Sequence, residues 1–483
     1  QQVMIDSNWG QIPVKDGKRI SGVVTRTDLI KLWGTPPQQP DEQQETVQLL
    51  EQGLSPPALT LVHRISAQAH HMGFVPYFVG GLVRDLLLGQ SIVDVDIVIE
   101  GDAIALARSL AEQFGGRIRT HKRFGTAKWL LSKNVWQTLI DPPLPQGLPP
   151  SIDFATARTE FYTHPTALPQ IARSSIKQDL HRRDFTINTL AIRLDPDHWG
   201  EMLDFYGGQA DLDNGVIRVL HSLSFVDDPT RILRAARLET RLGFHAEPRS
   251  AELIADALPL LKRVSGDRIR NEMEQLFAEP EPEQALARLH KMGALVHIHP
   301  QLRFDKWLQE TYQALRQDLD PATWQIHRGD LRFIHLALLA YRFPPDDVKA
   351  LIKRLHIRRD DAEDLYLTLD LKQHLRKLAR ARRPSTLAHM LSPYPARVLA
   401  TAWLASHRNT VKERLLKYQT EWRTIETSIT GKDLKARGLK PGPFYGEILG
   451  KLRDAKMDGD VTTPTEEKEL LEVLLKKHET TTA

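Results

Sequence analysis

The chain has no cysteine among its 483 residues. Disulfide staples and thiolate-bound metals are therefore excluded, and a reducing, cytoplasmic setting is expected. No apolar run approaches the ~20 residues that a membrane-spanning helix needs, so no membrane partner is expected. No signal-peptide pattern is visible. The chain opens at Gln1 and not at Met, as a fragment or a processed chain would. Acidic residues are locally missing too. None lies between Leu371 and Lys412, where Lys372, Arg376, Lys377, Arg380, Arg382, Arg383, Arg397 and Arg408 stand. The net charge is only +4, so this stretch concentrates positive charge and does not merely share in it. A local basic surface of that kind suits a phosphate backbone, the alternative being a solvated helix face.

What is present divides into segments. Ile12 to Val14 and Ile20 to Thr25 read as strands around the turn signal KDGK, and TPPQQPDEQQ reads as a polar, Pro-rich linker. From Leu54 to about Ile192 helical and strand patterns alternate, giving a mixed α/β domain. Helices are expected over Leu59 to His71 and Asp102 to Phe114, a hairpin over RIRTHKRFGTAKWLL, a loop at DPPLPQGLPP and a strand at SIDFATAR. From about Ser222 the apolar residues recur at helical spacing, and Pro or Gly breaks fall near 279–283, 343–346, 384, 393–395 and 441–443.

The stretch FVGGLVRDLLLGQSIVDVDIVIEG, Phe78 to Gly101, carries the chemistry. Alternate residues of a strand share a face, so Asp94 and Asp96 project together while Val93, Val95 and Ile97 turn toward a core. Adjacent carboxylates repel unless a cation lies between them. Oxygen-only ligands favour Mg²⁺, which takes one or two carboxylates plus substrate phosphates. A solvated strand edge is the plain alternative. Gly80 and Gly81 precede a helical pattern, and such a turn lets backbone approach a phosphate, with Arg84 in the first turn in reach of it.

GGLVRDLLLG followed by DVDIVIEG resembles the first signature of class II tRNA nucleotidyltransferases and bacterial poly(A) polymerases. RRDFTINTLA, Arg182 to Ala191, resembles that family's ribose- and phosphate-contacting motif, with Thr189 where Ala is usual. DDPTRILRAARLETRLGF, Asp227 to Phe244, resembles the neck helix that selects the base, with Asp227 where Glu is common. SGDRIRNEMEQLF, Ser265 to Phe277, is similar to the helix that closes the neck. The resemblance implies an α+β chain: a polymerase-beta-like nucleotidyltransferase head of mixed α/β type, then an all-helical neck, body and tail. The expected boundaries are 1–36 for a partial CBS module, 37–50 linker, 51–195 head, 196–280 neck, 281–415 body and 416–483 tail.

The implied reaction is attack of an RNA 3′-hydroxyl on the α-phosphate of ATP, or of CTP in CCA-adding members, with loss of pyrophosphate. Two Mg²⁺ ions about 3.5–4 Å apart would stabilise the attacking and leaving oxygens. Asp94 and Asp96 would hold them, and Asp153 in SIDFATAR matches the third catalytic carboxylate. Gly80, Gly81, Arg84, Asp85, Arg182, Arg183, Asp184 and Asn188 fall in nucleotide-contacting motifs. Asp228, Arg231, Arg234 and Arg237 recur at three-residue spacing near one helix face. A carboxylate accepts from an exocyclic amine and a guanidinium donates to a ring acceptor, so an Asp–Arg pair can accept C and A and reject U and G. The resemblance gives that role to Asp228 and Arg231, and phosphate or helix packing to Arg234 and Arg237. YTHPTALPQIARSSIKQDLH, Tyr162 to His181, falls where the family has a flexible loop.

GVVTRTDLIKL resembles the end of a CBS module, with Thr25 and Asp28 at ribose-contacting positions, and implies a longer parent with an upstream DHH-type phosphoesterase. CBS folds work in pairs, so adenosine binding by this piece is not expected. ITGKDLKARGLKPGPFYGEILGKL resembles the tail of long class II members. Lys432, Lys440 and Gly442 there, with Lys372, Arg376, Lys377, Arg380, Arg382 and Arg383, would grip the acceptor and TΨC arms of tRNA through phosphates. The expected function is tRNA 3′-end synthesis, terminal A addition slightly favoured over CCA addition. The alternatives are a poly(A) polymerase and a non-catalytic tRNA-binding or CBS regulatory protein.

Overall fold

A computed structural model of the chain describes residues 11–17, 19–25, 40–90, 92, 95–140, 143–161, 170–439 and 442–482. It has two compact units, Gln1–Val264 and Ser265–Ala483, so the division falls inside the segment expected as a neck.

The first unit opens with an antiparallel pair, β1 (Gln11–Asp16) and β2 (Arg19–Thr25), joined through the KDGK turn. Thr25 ends β2, and Asp28 lies outside the described residues. The stretch expected as a linker is helical from Pro40 to Gly53. Proline is tolerated at a helix start, Asp41 and Glu42 suit the positive end of the helix dipole, and Thr46 and Leu50 are buried. Helix Pro56–His71 follows.

Seven strands form the main sheet in the order β11-β10-β3-β4-β7-β6-β5. They are β3 (Val75–Val79), β4 (Asp96–Glu100), β5 (Arg117–His121), β6 (Thr126–Leu130), β7 (Ser151–Thr156), then β10 (Ala191–Arg193) and β11 (Met202–Leu203). Only β4 and β7 run parallel. One face buries Ile97, Ile99, Trp129, Ile152 and Phe154, with helix Ala103–Phe114 packed across β5, β6 and β7. Asp102 caps that helix by accepting from the Ile104 and Ala105 N–H groups. The other face is apolar at Val98 and Ala155 and polar at Asp96 and Asp153.

β8 (Arg158–Phe161) pairs with β9 (Gln170–Arg173) as a separate antiparallel ribbon, and helix Ile176–His181 packs Ile176 and Leu180 against the apolar part of that second face. The described part of the expected flexible loop, residues 170–181, is thus regular structure. Ile176 and Leu180 are buried in the sheet cluster and Asp179 is fully buried, anchoring a segment whose composition reads as polar.

The second unit is helical throughout its described residues. Several sequence breaks become helix starts, at Pro282, Pro345, Pro384 and Pro443, because proline suits the first turn and not the interior. The last helices, Gly431–Ala436, Pro443–Asp458 and Pro464–Thr482, close a small core of Ile429, Leu434, Ile448, Leu452 and Leu471.

Candidate active site

Burial along β7 alternates, with Ile152, Phe154 and Thr156 inside and Ser151, Asp153 and Ala155 on the open face. In register, Asp96 stands opposite Asp153 across the parallel pair, and Lys128 stands opposite Asp153 across β6. Three charged side chains therefore form one row over three strands. Lys128 Nζ lies 2.7 Å from Asp153 Oδ2. Both side chains are nearly half exposed, so the pair itself adds little stability. It does show a cation drawn to the place where two strands present carboxylates. Asp94 lies outside the described residues, and among those described no three His, Asp or Glu side chains gather as a metal cage. Asp96 and Asp153, oxygen donors on adjacent strands that both reach solvent, fit Mg²⁺, which keeps most of its positions for water and phosphate.

Because β3 and β4 are antiparallel, the end of β3 lies beside the start of β4. There the chain turns through Gly80 at φ 68°, ψ −126°, a conformation only glycine adopts readily. A Cβ at Gly80 would come within 2.5 Å of Arg183 Nη1, so the glycine also admits that guanidinium.

A cavity of about 350 Å³ opens beside this turn. Gly81 contributes from the turn; Arg182, Arg183, Asp184 and Asn188 from the RRDFTINTLA segment; Asp228, Arg231 and Arg234 from the start of the neck helix Arg231–Leu242. Every one of these eight belongs to the nucleotide-contacting set expected from the sequence. Asp184 accepts from Asn188 Nδ2 at 2.9 Å and from Arg234 Nη1 at 3.1 Å. Asp228 accepts from Thr230 N–H at 3.0 Å and from Arg234 Nη2 at 2.9 Å. Arg234 thus ties the two motifs together. Arg231 is nearly buried and donates to Ser224 Oγ and to the Arg182 carbonyl. Burial works to raise the Asp184 carboxyl, but Arg234, Asn188, Arg231 and the Phe185 N–H outweigh it and hold it below the ordinary carboxylate value. Burial, with Asp228 adding to it against Arg231, raises Asp227.

Not all expected residues face the cavity. Arg84 is buried and turned inward, donating to Asp85 Oδ1 and, at 2.7 Å, to Asn188 Oδ1. Asp85 also accepts from Arg241 at 3.1 Å. Arg84 thus orients Asn188 from behind, and Asp85 holds Arg84. Arg237, a full turn and more along the neck helix, lies off the cavity lining. Of the RNA-contacting set, Arg376, Lys377, Arg380, Arg382, Lys432 and Gly442 are exposed, and Lys440 lies outside the described residues. Lys372 is instead held by the Tyr341 carbonyl at 2.6 Å, and burial, then Arg342, lowers its pKa. Arg383 pairs with Asp458 and Asp460, and Arg397 with Asp361 and Asp364. The acid-free stretch is acid-free in sequence only; other helices supply carboxylates.

Three contributors escaped the sequence reading. Asp179, fully buried, accepts from Arg182 Nη2 at 2.7 Å and Arg183 Nη2 at 3.0 Å, setting both arginines at the cavity. Its i, i+3 and i, i+4 spacing from them was the available signal. Lys128 had none, since its partner Asp153 lies on another strand, and Ser224 stands seven residues before Arg231, just outside the motif.

His221 stacks on His181 at 5.9 Å and stands near Arg231; burial first, then Arg231 and His181, lower its pKa from 6.5 to about 4. The folded head therefore binds fewer protons than the unfolded chain between those values, and stability falls as pH drops from 6.5 toward 4. The slope from this residue is up to about 1.4 kcal/mol per pH unit. The lowered Asp179 and Asp184 add a loss at still lower pH, as they protonate. Denaturant unfolding of the His221→Asn chain at pH 7 and pH 5 is expected to show a smaller difference than the parent. An equal difference would remove the buried neutral His221.

Comparison with known proteins bears on this site. Residues 76–218 match the family described as poly A polymerase head domain, and residues 243–305 the family described as probable RNA and SrmB-binding site of polymerase A. The A-adding tRNA nucleotidyltransferase of Geobacter sulfurreducens is 33% identical over 97% of this chain and 54% of its own length. The A-adding tRNA nucleotidyltransferase of Halalkalibacterium halodurans is 31% identical over 83% of this chain and 89% of its own. The Thermotoga maritima CCA-adding enzyme complexed with tRNA superposes with a TM-score of 0.67 at 30% identity, covering 89% of this chain and 98% of that one. The chain belongs to the tRNA nucleotidyltransferase and poly(A) polymerase family. It spans about half the length of the Geobacter relative. Thr189, usually Ala in the family, is fully buried, and its hydroxyl donates to the Thr186 carbonyl at 2.7 Å. Asp227, usually Glu, leaves Arg231 held by Ser224 and Arg182.

Proposed function

We propose that the chain is a template-independent nucleotidyltransferase that extends the 3′ end of tRNA, adding the terminal A from ATP. The carrying observation is the single cavity that joins the RRDFTINTLA side chains to Asp228 and Arg231, beside the Gly80–Gly81 turn at the Asp96 end of β4. The names of the two A-adding relatives support the choice of A. Addition of CCA from CTP and ATP is the second reading, supported by the CCA-adding neighbour.

In this reading Asp94 and Asp96 would hold Mg²⁺, with Asp153, opposite Asp96 across the parallel pair, as the third carboxylate. When bound, that ion stabilises charge on the phosphate oxygens during transfer. The protein supplies the rest. Gly80 and Gly81 let backbone approach the triphosphate, and Arg182 and Arg183, braced by Asp179, balance its charge. Asp228 accepts from the adenine amine and Arg231 donates to a ring nitrogen. Asp184 and Asn188 position the ribose. We assign 51–195 to the catalytic head, 196–280 to the neck, 281–415 to the body and 416–483 to the tail.

The test uses Mg²⁺, single NTPs and tRNAs ending at the discriminator base, in C or in CC. Addition of one A to the CC end alone supports A addition; CTP followed by ATP on the bare end supports CCA addition. Long A tails on unrelated RNA would replace the proposal by poly(A) synthesis, and no transfer to any end would remove it.

The exposed cations Arg376, Lys377, Arg380 and Arg382 would hold tRNA phosphates. Changing all four to Gln is expected to weaken tRNA binding on the order of tenfold at 0.1 M salt and to flatten its salt dependence. The KM for ATP stays unchanged. An unaltered salt slope would take these residues out of the interface.

A further inference from the structure

A second cavity, of about 330 Å³, lies in the same unit at the other end of β4. Its walls come from three places. The β5–β6 turn gives Lys122, Arg123 and Phe124, the first half of helix Ala103–Phe114 gives Ile104 and Arg108, and β8 and β9 give Arg158 and Arg173. Asp102 is the one carboxylate in the lining, against five cations. That carboxylate is already committed, capping its own helix and accepting from Arg173 Nη2 at 2.7 Å. Arg158 donates to the Phe124 carbonyl at 3.1 Å, which holds the turn. Arg108, Lys122 and Arg123 are exposed and have no carboxylate partner among the described residues.

We propose that this cavity binds a backbone phosphate of single-stranded RNA, with Phe124 as a stacking surface for the neighbouring base. Like charges collected around a concavity repel one another and raise the local positive potential, and a phosphate relieves both. The turn is fixed and not incidental: a Cβ at Gly125, at φ 60°, would sit 3.2 Å from Thr156 Cβ, so the turn lies directly against β7. Phe124 is 38% exposed, an unusual place for a large apolar ring. The Arg123 guanidinium lies 5.6 Å from its centroid and the His121 ring 5.5 Å away. Cations beside an exposed ring suit an unpaired strand, whose bases stack on aromatics while its phosphates meet the cations. A duplex buries its base faces and gives Phe124 nothing to stack on.

The site is separate from the nucleotide cavity. Asp96 begins β4 and Asp102 follows its end, roughly 20 Å away at strand rise. A triphosphate at Asp96 does not reach it, whereas an RNA strand whose 3′ end lies at Asp96 extends that far. The inference rests on the proposed 3′-end extension for its choice of RNA as the ligand.

The test compares the parent chain with Arg108→Gln/Lys122→Gln and with Phe124→Ala. Binding of a 5′-fluorescein-labelled ten-nucleotide RNA single strand ending in CC is measured by anisotropy over a range of salt, with inorganic pyrophosphate as competitor. The double variant is expected to weaken RNA binding about tenfold and to lower the salt slope by about 2. Phe124→Ala weakens binding at least about fivefold with the slope unchanged. In the transfer assay the double variant raises the KM for tRNA and leaves kcat and the KM for ATP as they were, which also shows that the fold is intact. Unchanged RNA affinity and slope would overturn the proposal. So would full displacement of the RNA by pyrophosphate coupled to a raised KM for ATP, which would make the cavity a free-phosphate site. If the parent extends no RNA yet the variants still lose affinity, the functional reading falls and the binding site stands.

Discussion

Asp96→Ala and Asp153→Ala are each expected to lower nucleotidyl transfer by at least about 10³-fold, with little change in the fold. The two carboxylates stand side by side across the parallel β4–β7 pair, on the open face, where their loss removes no core packing. Their function in the account is to gather positive charge where the α-phosphate must lie. Lys128→Met separates this from a merely electrostatic surface. Lys128 balances Asp153 at 2.7 Å when no other cation does so. Its loss should reduce transfer by less than about tenfold at saturating Mg²⁺, since a bound divalent ion outcompetes a half-exposed ammonium. Rates of single-turnover A addition decide the matter. A loss at Lys128 as large as that at Asp153 would make the lysine, and not a metal, the working cation.

Asp228→Ala and Arg231→Ala are expected to reduce kcat/KM for ATP and to shrink the preference for ATP over GTP, each by about 1–3 kcal/mol of discrimination. The structure gives the two changes different side effects. Arg231 is held by Ser224 Oγ and the Arg182 carbonyl, so its removal frees the RRDFTINTLA segment locally. Asp228 accepts from Thr230 N–H and from Arg234, so its removal both loosens the turn that leads into helix Arg231–Leu242 and takes one carboxylate from Arg234. Asp228→Ala should therefore also lower stability by about 1 kcal/mol or more, whereas Asp228→Asn keeps the turn's hydrogen bond and loses mainly selectivity. Ratios of kcat/KM for the four NTPs on a CC-ending tRNA check this. Unchanged ratios in both alanine variants would remove base reading from the neck helix.

Local signals made the head legible. Alternation in SIDFATAR, the KDGK turn and the glycine pair each specify one conformation through short-range sterics and burial, and the strands and turns follow them. The same holds for the eight residues that line the cavity beside the glycine turn, which lie in short contiguous motifs. Long-range partnership was not legible. Arg84 and Lys372 are both cations in plausible phosphate-facing places, yet Asp85, Asn188 and the Tyr341 carbonyl turn them inward. Asp361, Asp364 and Asp458 pair with Arg397 and Arg383 of a run that contains no acid of its own. Helix Pro40–Gly53 was hidden by its proline- and glutamine-rich composition, although Leu50 and Thr46 bury a face. The charge row shows the same limit, because register, and not sequence, brings Lys128, Asp153 and Asp96 together.

The most direct measurement is anomalous diffraction from crystals of the chain soaked with Mn²⁺ and ATP. The account predicts manganese within about 2–2.5 Å of the Asp96 and Asp153 carboxylate oxygens, with the triphosphate beside Gly80–Gly81 and the adenine edge at Asp228 and Arg231. ATP bound in the neck cavity with no manganese at either carboxylate, and with Lys128 still on Asp153, would contradict it.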